Sequence, residues 1–282
     1  MGFRLASALS VLLAAPPAGA GPDRAVKIEK VEFLEARHAE KAKAATLVEG
    51  EYLALRVVVS GLEEKEGNLD CLLDLTLKDE TGAVKLHKEG ASGGSFKNSL
   101  GRPSAAFFIE INSLTGIVGK FRLGVKARDR NAGSEDVWET DLLLEPARLG
   151  IYNPRFLVAG DRDEKRPELP RLLPLGGQID LAFKLLGLTS EGARIHFAIR
   201  VDVFDAATDE RLYTTEGKPL KGLEYKGRGA EDGIIGMSHT LSLTRPGRFY
   251  ARVAIEDKVA GKKVERDVRF RVFSPEELDR EF

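Results

Sequence analysis

The feature that most constrains the fold is an alternation of apolar and polar residues that occurs in the first half of the chain and again in the second. Leu53–Leu77 aligns without a gap on Ile179–Val203, and Gly119–Gly133 aligns on Gly247–Gly261. Within the strand stretches of these blocks, every second residue is apolar, which is the period of a β-strand with one buried face. The pattern predicts antiparallel strands in two copies of one module of about 125 residues, an ordinary domain size.

Strands with a single apolar face need a second layer to cover that face. Turn-forming residues separate about seven such strands in each copy, which is typical of a β-sandwich. We therefore predict an all-β protein of two tandem antiparallel β-sandwiches, each built from two sheets packed face to face. The expected boundaries are 21–147 for module 1, 148–275 for module 2 and 276–282 for a C-terminal tail.

The hairpin near the C-terminus resembles a known kind of repeat. Leu243–Val253 resembles the E–F corner and F strand of Ig-like and fibronectin-III-like repeats in secreted bacterial proteins, and Asp257–Lys262 is similar to their F–G turn. The corner position that is often Tyr in these repeats is Phe249 here and Phe121 in module 1. The Ig-type cysteine pair is also missing, which places the modules nearer to fibronectin-III repeats. The resemblance implies a fold and no activity, because such sandwiches serve many unrelated roles.

Residues 1–20 have the pattern of an export signal. Arg4 precedes an apolar run, Leu5–Ala15, that is too short to span a bilayer, and Ala18-Gly19-Ala20 is a cleavage site of small residues. We predict cleavage near Ala20 and a secreted or periplasmic location, and the sequence does not distinguish these two. No other long apolar run follows, so we expect no membrane span.

Charge and composition argue against several partners and cofactors. Lys and Arg number 43 and Asp and Glu number 44, a net charge of −1, which does not favour nucleic-acid binding. The single cysteine, Cys71, is in phase with Leu69 and Leu73, so we expect a buried and inert thiol. No cluster of His and Cys suits zinc, and no cofactor motif is present. We therefore expect no cofactor and no zinc site.

One turn has a weak likeness to a calcium loop. Asp129–Asp136 carries oxygen-bearing side chains at alternate positions, but it does not meet the full spacing of such a loop. The matching turn in module 2, Asp257–Gly261, has lost the Asn. A hairpin turn with glycine at positive φ explains both copies. The sequence leaves calcium binding at the first turn open.

No arrangement of residues predicts catalysis. The histidines are His38, His87, His196 and His239, and none has a nucleophile at recognisable spacing. The spacing Gly-x-Ser-x-Gly occurs once, at Gly90–Gly94, but the sequence predicts no helix after these glycines, so we do not interpret it as a nucleophile elbow. We interpret His196 as solvated and His239 as a hydrogen-bonded residue near the end of the core, and we expect the protein not to be an enzyme.

Three aromatic residues and two loops are the candidates for contacts with a ligand or partner. Trp138 is in phase with apolar residues of its strand, which favours a core or edge position over a sugar platform, and Tyr213 and Tyr225 are further candidates. The connections between the fourth and fifth strands, Gly90–Pro103 and Gly222–Gly233, differ between the copies. Binding function concentrates in loops on rigid scaffolds, so these connections are the expected place for it.

Together these observations predict a non-catalytic secreted or periplasmic protein that acts in binding or scaffolding. The expected partner is an envelope or extracellular protein, or a polysaccharide. The alternative is a carbohydrate-binding module or an accessory domain of a secreted hydrolase. An unpaired edge strand would favour a protein partner, an aromatic groove a sugar, and a pocket with converging carboxylates an enzyme. Neither the partner's identity nor the oligomeric state can be read from the sequence.

Overall fold

The structure is a computed structural model of the whole chain. It describes residues 25–37, 42–99, 101–111, 114–159, 168–191, 194–215, 234–274 and 277, together with the backbone of 223–226. The predicted export signal and its cleavage site near Ala20 lie outside the described residues. Within the described part there is no helix with the length and apolarity that a membrane crossing requires.

The fold is all-β, and its sheets form two similar halves, which confirms the two predicted tandem β-sandwiches. The strands of the first half are β1 (Lys27–Leu34), β2 (Ala42–Lys43), β3 (Thr46–Val48), β4 (Leu53–Ser60), β5 (Glu64–Lys65), β6 (Asn68–Asp79), β7 (Val84–Lys97), β8 (Ala105–Ile111), β9 (Gly119–Asp129) and β10 (Glu135–Glu145).

The strands of the second half follow in the same order. They are β11 (Gly150–Val158), β12 (Glu168–Leu169), β13 (Leu172–Pro174), β14 (Gln178–Leu186), β15 (Ser190–Glu191), β16 (Arg194–Asp205), β17 (Arg211–Thr214), β18 (Leu223–Lys226), β19 (Ile235–Ser242), β20 (Gly247–Asp257) and β21 (Lys262–Phe273).

Sheet topology repeats strand by strand. The first sandwich pairs a sheet of order β2-β1-β4-β8 with one of order β3-β10-β9-β6-β5, in which β7 also pairs with β6. The second sandwich has β12-β11-β14-β19 and β13-β21-β20-β16-β15. Its β17 and β18 both pair with β16 and together take the place of β7. The short strand β13 runs parallel to β21, whereas the long neighbours β16, β20 and β21 are antiparallel.

The cores follow from the alternation. In the first sandwich the inward residues of β4, β6 and β9 are buried, among them Leu55, Leu73 and Val125, all of which have no exposed surface. In the second sandwich Phe270 packs against two other rings, with centroid distances of 5.3 Å to Phe156 and 5.7 Å to Phe249. Burial of these apolar faces provides the main favourable free energy of folding, since the chain has no disulfide.

The prediction of a loop at Gly90–Pro103 is wrong over its first part. Strand β7 extends to Lys97 and pairs with β6 on both sides of a register shift. The Gly- and Ser-rich composition suggested a loop, but pairing with a long, well-buried neighbour overrides that local preference.

Contacts divide the chain into two compact units. The first comprises Met1–Phe33, Ala54–Glu110 and Gly119–Leu143, and the second comprises Leu34–Leu53, Ile111–Val118 and Leu144–Phe282.

Candidate functional site

The turn that resembles a calcium loop is held by a structural aspartate. Asp129 is almost completely buried, with 1% of its surface exposed. Its Oδ1 accepts hydrogen bonds from the backbone N–H groups of Asn131 (2.9 Å) and Ala132 (3.2 Å), and its Oδ2 accepts one from the N–H of Glu63 (2.7 Å). Both carboxylate oxygens therefore serve the backbone.

The same arrangement occurs in the second copy. Asp257 Oδ1 accepts from the N–H groups of Val259 (2.9 Å) and Ala260 (3.0 Å), and Oδ2 accepts from the N–H of Thr189 (2.8 Å). Burial acts to raise the pKa of Asp257, but these hydrogen bonds outweigh it, so the pKa is lowered. The conserved position in the two turns is thus explained by the backbone that it organises.

Two further oxygen atoms of the first turn also bind backbone N–H groups. Ser134 Oγ accepts from the N–H of Val26 (3.1 Å), and Asp136 Oδ2 accepts from the N–H of Ile28 (2.7 Å). Among the described residues no group of three or more His, Cys, Asp or Glu side chains could hold a metal ion. These contacts support a hairpin turn whose side chains hold the backbone at the start of β1. They do not favour a calcium site among the described residues.

The histidines show no catalytic pairing among the described residues. His87 Nδ1 lies 3.0 Å from Thr76 Oγ1 on an exposed face, and His196 is exposed on the polar side of β16. His38 lies outside the described residues. Threonine beside an exposed imidazole lacks the orienting third group that activates a nucleophile.

Cys71 occupies the core of the first sandwich. Its side chain has no exposed surface, and burial, with smaller contributions from Asp129 and Asp70, raises the pKa of the thiol to about 12. A buried thiol with a raised pKa is not a nucleophile at neutral pH. The structure therefore places Cys71 as a packing residue, as its phase predicts.

The aromatic candidates have different surroundings. Tyr213 is half-buried, and its hydroxyl lies 3.3 Å from Nε2 of His239. Trp138 belongs to the first sandwich, where it is half-buried in β10. Tyr225 lies in β18, where its backbone pairs with Ile195, and its side chain is outside the described residues. Tyr213 and His239 are thus brought together, and Trp138 is not part of that pair.

In the second compact unit, the amine of Lys184 has a strongly lowered pKa, and this residue is not among the candidates named from the sequence. Lys184 Nζ lies 3.7 Å from the centroid of the Tyr52 ring and donates a hydrogen bond to the carbonyl of Gly50 (2.9 Å). Burial, aided by the nearby Arg155, lowers its pKa to about 8. A lysine within the apolar run of β14 is the sequence signal that marks it. Its contacts with a ring and a backbone carbonyl are those of a packed residue.

A pocket of about 310 Å³ in the second unit offers little chemistry. It is lined by Glu49, Thr115, Gly116, Ala147 and Ile234. Among these described lining residues Glu49 is the one carboxylate, and it accepts a hydrogen bond from the N–H of Gly116 (2.7 Å). The described lining therefore does not supply the converging acid and base that an active site needs.

The clearest candidate for an interaction surface is the outer edge of β7. This strand pairs with β6 on one side, and no described strand pairs with its other side. Most of its residues are exposed. Asn98, just beyond the strand, donates its N–H to the carbonyl of Gly67, on the β6 side (2.9 Å). Because N–H groups alternate in direction along a strand, the N–H of Ser95 points away from the sheet.

A bulge shapes the middle of this edge. The register with β6 shifts between Leu73 and Leu75, so that one residue of β6, Asp74, faces several of β7. Asp74 Oδ1 accepts hydrogen bonds from the N–H of Gly90 (2.8 Å) and from Arg128 Nη2 (2.9 Å). The segment that follows passes so close to β6 that a side chain on Gly93 would meet the carbonyl of Cys71. Only glycine fits there.

The two copies differ most at this position. In the second sandwich the place of β7 is taken by the four-residue strands β17 and β18. Short edge strands are a common protection against unwanted pairing, whereas β7 has 14 residues. The sequence signal for this asymmetry was the unmatched connection between the fourth and fifth strands.

Comparisons with known proteins add little to this geometry. No protein family and no curated protein matches the sequence. Among solved structures, the chain is similar to the alkylpurine DNA glycosylase AlkC of Pseudomonas fluorescens, bound to DNA containing an abasic-site analogue, with 14% identity, TM-score 0.29 and coverage of 43% of this chain and 31% of that one.

Two further solved structures show similar limits. The D1–D4 ectodomain fragment of ICAM-5 shares 15% identity at TM-score 0.24, over 87% of this chain and 54% of that one. The soluble domain of PmoD from Methylocystis shares 16% identity at TM-score 0.25, over 45% of this chain and 96% of that one. Scores this low carry no argument about the function of the chain.

Proposed function

We propose that this is a non-catalytic binding or scaffolding protein of the secreted or periplasmic compartment. We further propose that it binds an extended segment of a partner protein along β7. The observation that carries the proposal is the long edge strand, 14 residues with one unpaired side in the described chain. An added strand gains affinity from backbone hydrogen bonds, and alternate side chains provide specificity.

The charge along β7 indicates what kind of segment would fit. Lys88 and Lys97 are exposed at its middle and end without an ion pair in the described part of the chain, whereas Glu89 already lies 3.3 Å from Arg128. The stretch between them, Gly90–Phe96, has no charged residue. A partner strand with an uncharged centre and acidic residues towards its ends therefore complements this edge.

The edge strand also bears on the alternatives. A second copy of this chain would bring like charges together at the lysines if it paired in parallel register, which disfavours that form of self-pairing. An enzyme would need a converging acid and base, which the described residues around the pocket at Glu49 do not provide. Lysines on both sides of the uncharged stretch are a common protection against nonspecific pairing, and they leave this stretch as the accessible part of the edge.

The test uses a pair of substitutions at one residue. Ser95→Pro removes the outward N–H and blocks strand addition, whereas Ser95→Ala changes the side chain and keeps the N–H. Wild type and both variants are recovered from the envelope after mild cross-linking, and hydrogen exchange of β7 is measured with the purified partner.

We expect the same partner with wild type and Ser95→Ala, its loss with Ser95→Pro, and slower exchange at the β7 amides in the complex. Recovery of one partner with all three proteins, no partner with any, or unchanged exchange in β7 would contradict the proposal. Sedimentation that shows a dimer abolished by Ser95→Pro would assign the edge to a second copy instead.

A further inference from the structure

A cluster of arginines lies on the outer face of the second sandwich. Phe249 and Phe270 point into the core, so their neighbours in sequence point to the opposite face. Arg248 pairs directly across the strands with Arg271, and Arg269, two residues along β21, pairs with Tyr250. Directly opposite side chains have Cβ atoms about 5 Å apart, and diagonal ones are within about 8 Å. The three arginine side chains therefore start from one small area of the sheet.

Carboxylates on this face are engaged elsewhere. Asp267 accepts two hydrogen bonds from Arg252, at 2.8 and 3.0 Å. Asp209 accepts from the hydroxyl of Tyr250, and Asp205 lies 2.9 Å from Arg245 Nη2. These acids therefore do not neutralise the cluster.

Two of the three arginines lack an acidic partner. Arg248 and Arg269 are exposed, and neither forms an ion pair within the described part of the chain. Arg271 is partnered, and one of its contacts is the carboxylate of Glu277 at 3.9 Å. Like charges directly opposite each other on a sheet are unfavourable, so the arrangement carries a cost in the free protein.

The first sandwich lacks the cluster. Counting along the aligned hairpins, the residues that correspond to Arg248, Arg269 and Arg271 are Lys120, Asp141 and Leu143. There Asp141 lies 3.2 Å from Arg122, which makes an ordinary cross-strand ion pair. The arginines are therefore not required by the fold that the two copies share.

We propose that Arg248, Arg269 and Arg271 form a binding site for the oxyanion groups, carboxylate or sulfate, of an acidic polysaccharide. The planar guanidinium group binds such oxyanions through two parallel hydrogen bonds, and a bound anion relieves the repulsion between the arginines. Binding to an anionic membrane surface depends instead on the number of basic residues, and a cluster of three is small for that purpose. The site is independent of the β7 edge and of the proposal made for it.

The test measures binding of full-length protein to three polymers by affinity electrophoresis and calorimetry at fixed ionic strength. Polygalacturonate supplies carboxylates, dextran sulfate supplies sulfates, and neutral dextran is the uncharged reference. Vesicles of phosphatidylcholine with a minor fraction of phosphatidylglycerol test the membrane alternative. The arms thus separate the two oxyanions from each other and from a lipid surface.

Three double variants are compared with the wild type. Arg248→Ala with Arg269→Ala removes the site, and Arg248→Lys with Arg269→Lys keeps the charge without the paired hydrogen bonds. Lys262→Ala with Lys263→Ala removes the same charge at the other end of β21. Urea unfolding of each variant verifies the fold, and the alanine variant should be at least as stable as the wild type because repulsion is relieved.

We expect binding to one or both acidic polymers and not to neutral dextran. The alanine variant at the arginines should lose at least about tenfold in affinity, the lysine variant most of that, and the control less than about twofold. Binding of neither acidic polymer, an equal loss in the control, full retention by the lysine variant, or preference for the vesicles would each overturn the proposal.

Discussion

The buried aspartate of the second hairpin turn allows a direct test of how the fold is held. Asp257 is 1% exposed and accepts three backbone N–H groups, from Thr189, Val259 and Ala260, at 2.8 to 3.0 Å. Replacement by Ala removes all three acceptors. Replacement by Asn keeps Oδ1 for the two turn N–H groups but turns an NH₂ group towards the N–H of Thr189.

The expected loss follows from these contacts. A hydrogen bond to a charged acceptor contributes about 1.5–3 kcal/mol. All three donors belong to exposed residues, so water recovers part of the loss, and about 1 kcal/mol per bond is a reasonable net value. We expect Asp257→Ala to reduce the free energy of unfolding by about 3 kcal/mol and Asp257→Asn by about 1–2 kcal/mol.

The assay is urea unfolding at neutral and acidic pH, with hydrogen exchange of β20 and β21 to assign the transition to the second sandwich. The folded-state pKa of Asp257 is lowered, so its stabilisation is present above the unfolded-state value of about 4. The stabilisation is lost as the pH falls from there through the folded-state value. The difference between wild type and Asp257→Asn should therefore shrink at acidic pH.

Two comparisons make this prediction strict. Asp129→Ala in the first copy should cost a similar amount, since its three hydrogen bonds have the same partners by position. Asp141→Asn, an aspartate whose side chain is 84% exposed, should change stability by less than about 1 kcal/mol. Equal stability of Asp257→Ala and wild type, or a difference that does not vary with pH, would refute the reasoning.

Three other predictions concern buried or crowded groups. Cys71 should resist alkylation by iodoacetamide in the native protein, because its pKa is raised to about 12 and its side chain is fully buried. In urea it should react at the rate of a free thiol. Fast labelling of the native protein would contradict this prediction. Lys184 has its pKa lowered to about 8, so the unfolded state binds the extra proton between about pH 8 and 10.4. Stability should rise with pH over that range in wild type and not in Lys184→Met, as measured by urea unfolding. Gly93→Ala should lower the free energy of unfolding by more than about 3 kcal/mol, because its Cβ would lie 2.1 Å from the carbonyl of Cys71 at φ +107°. Gly94→Ala, which has open space around its Cβ, should lower it by about 1–2 kcal/mol. Equal losses would argue against the close approach at Gly93.

The architecture was predictable because its causes are local and repeated. Alternation in β4, β6 and β9 reports which face is buried, and duplication indicates the same fold twice. The turn residues at Asp129 and Asp257 were also visible as a repeated position. Their hydrogen bonds to Glu63 and Thr189, far away in sequence, were not, because pairing between distant segments leaves no periodic trace.

The candidate surfaces were harder to predict for the same reason. Glycine and serine in Gly90–Phe96 locally favour a loop, and only pairing with β6 makes this segment an edge strand. The proximity of Arg248 and Arg271 depends on the register of β20 with β21, which a single sequence does not specify. Residue type alone marks Trp138, Tyr213 and Tyr225 as candidate contacts, whereas the surroundings of each side chain depend on the strands that pair beside it.

The parallel pairing of β13 with β21 has a mechanical consequence. Leu172, Leu173 and Pro174 lie beside Arg271, Val272 and Phe273, with both strands running in the same direction. Tension that pulls β13 from its N-terminal end and β21 from its C-terminal end loads this patch in shear, so its hydrogen bonds must break together.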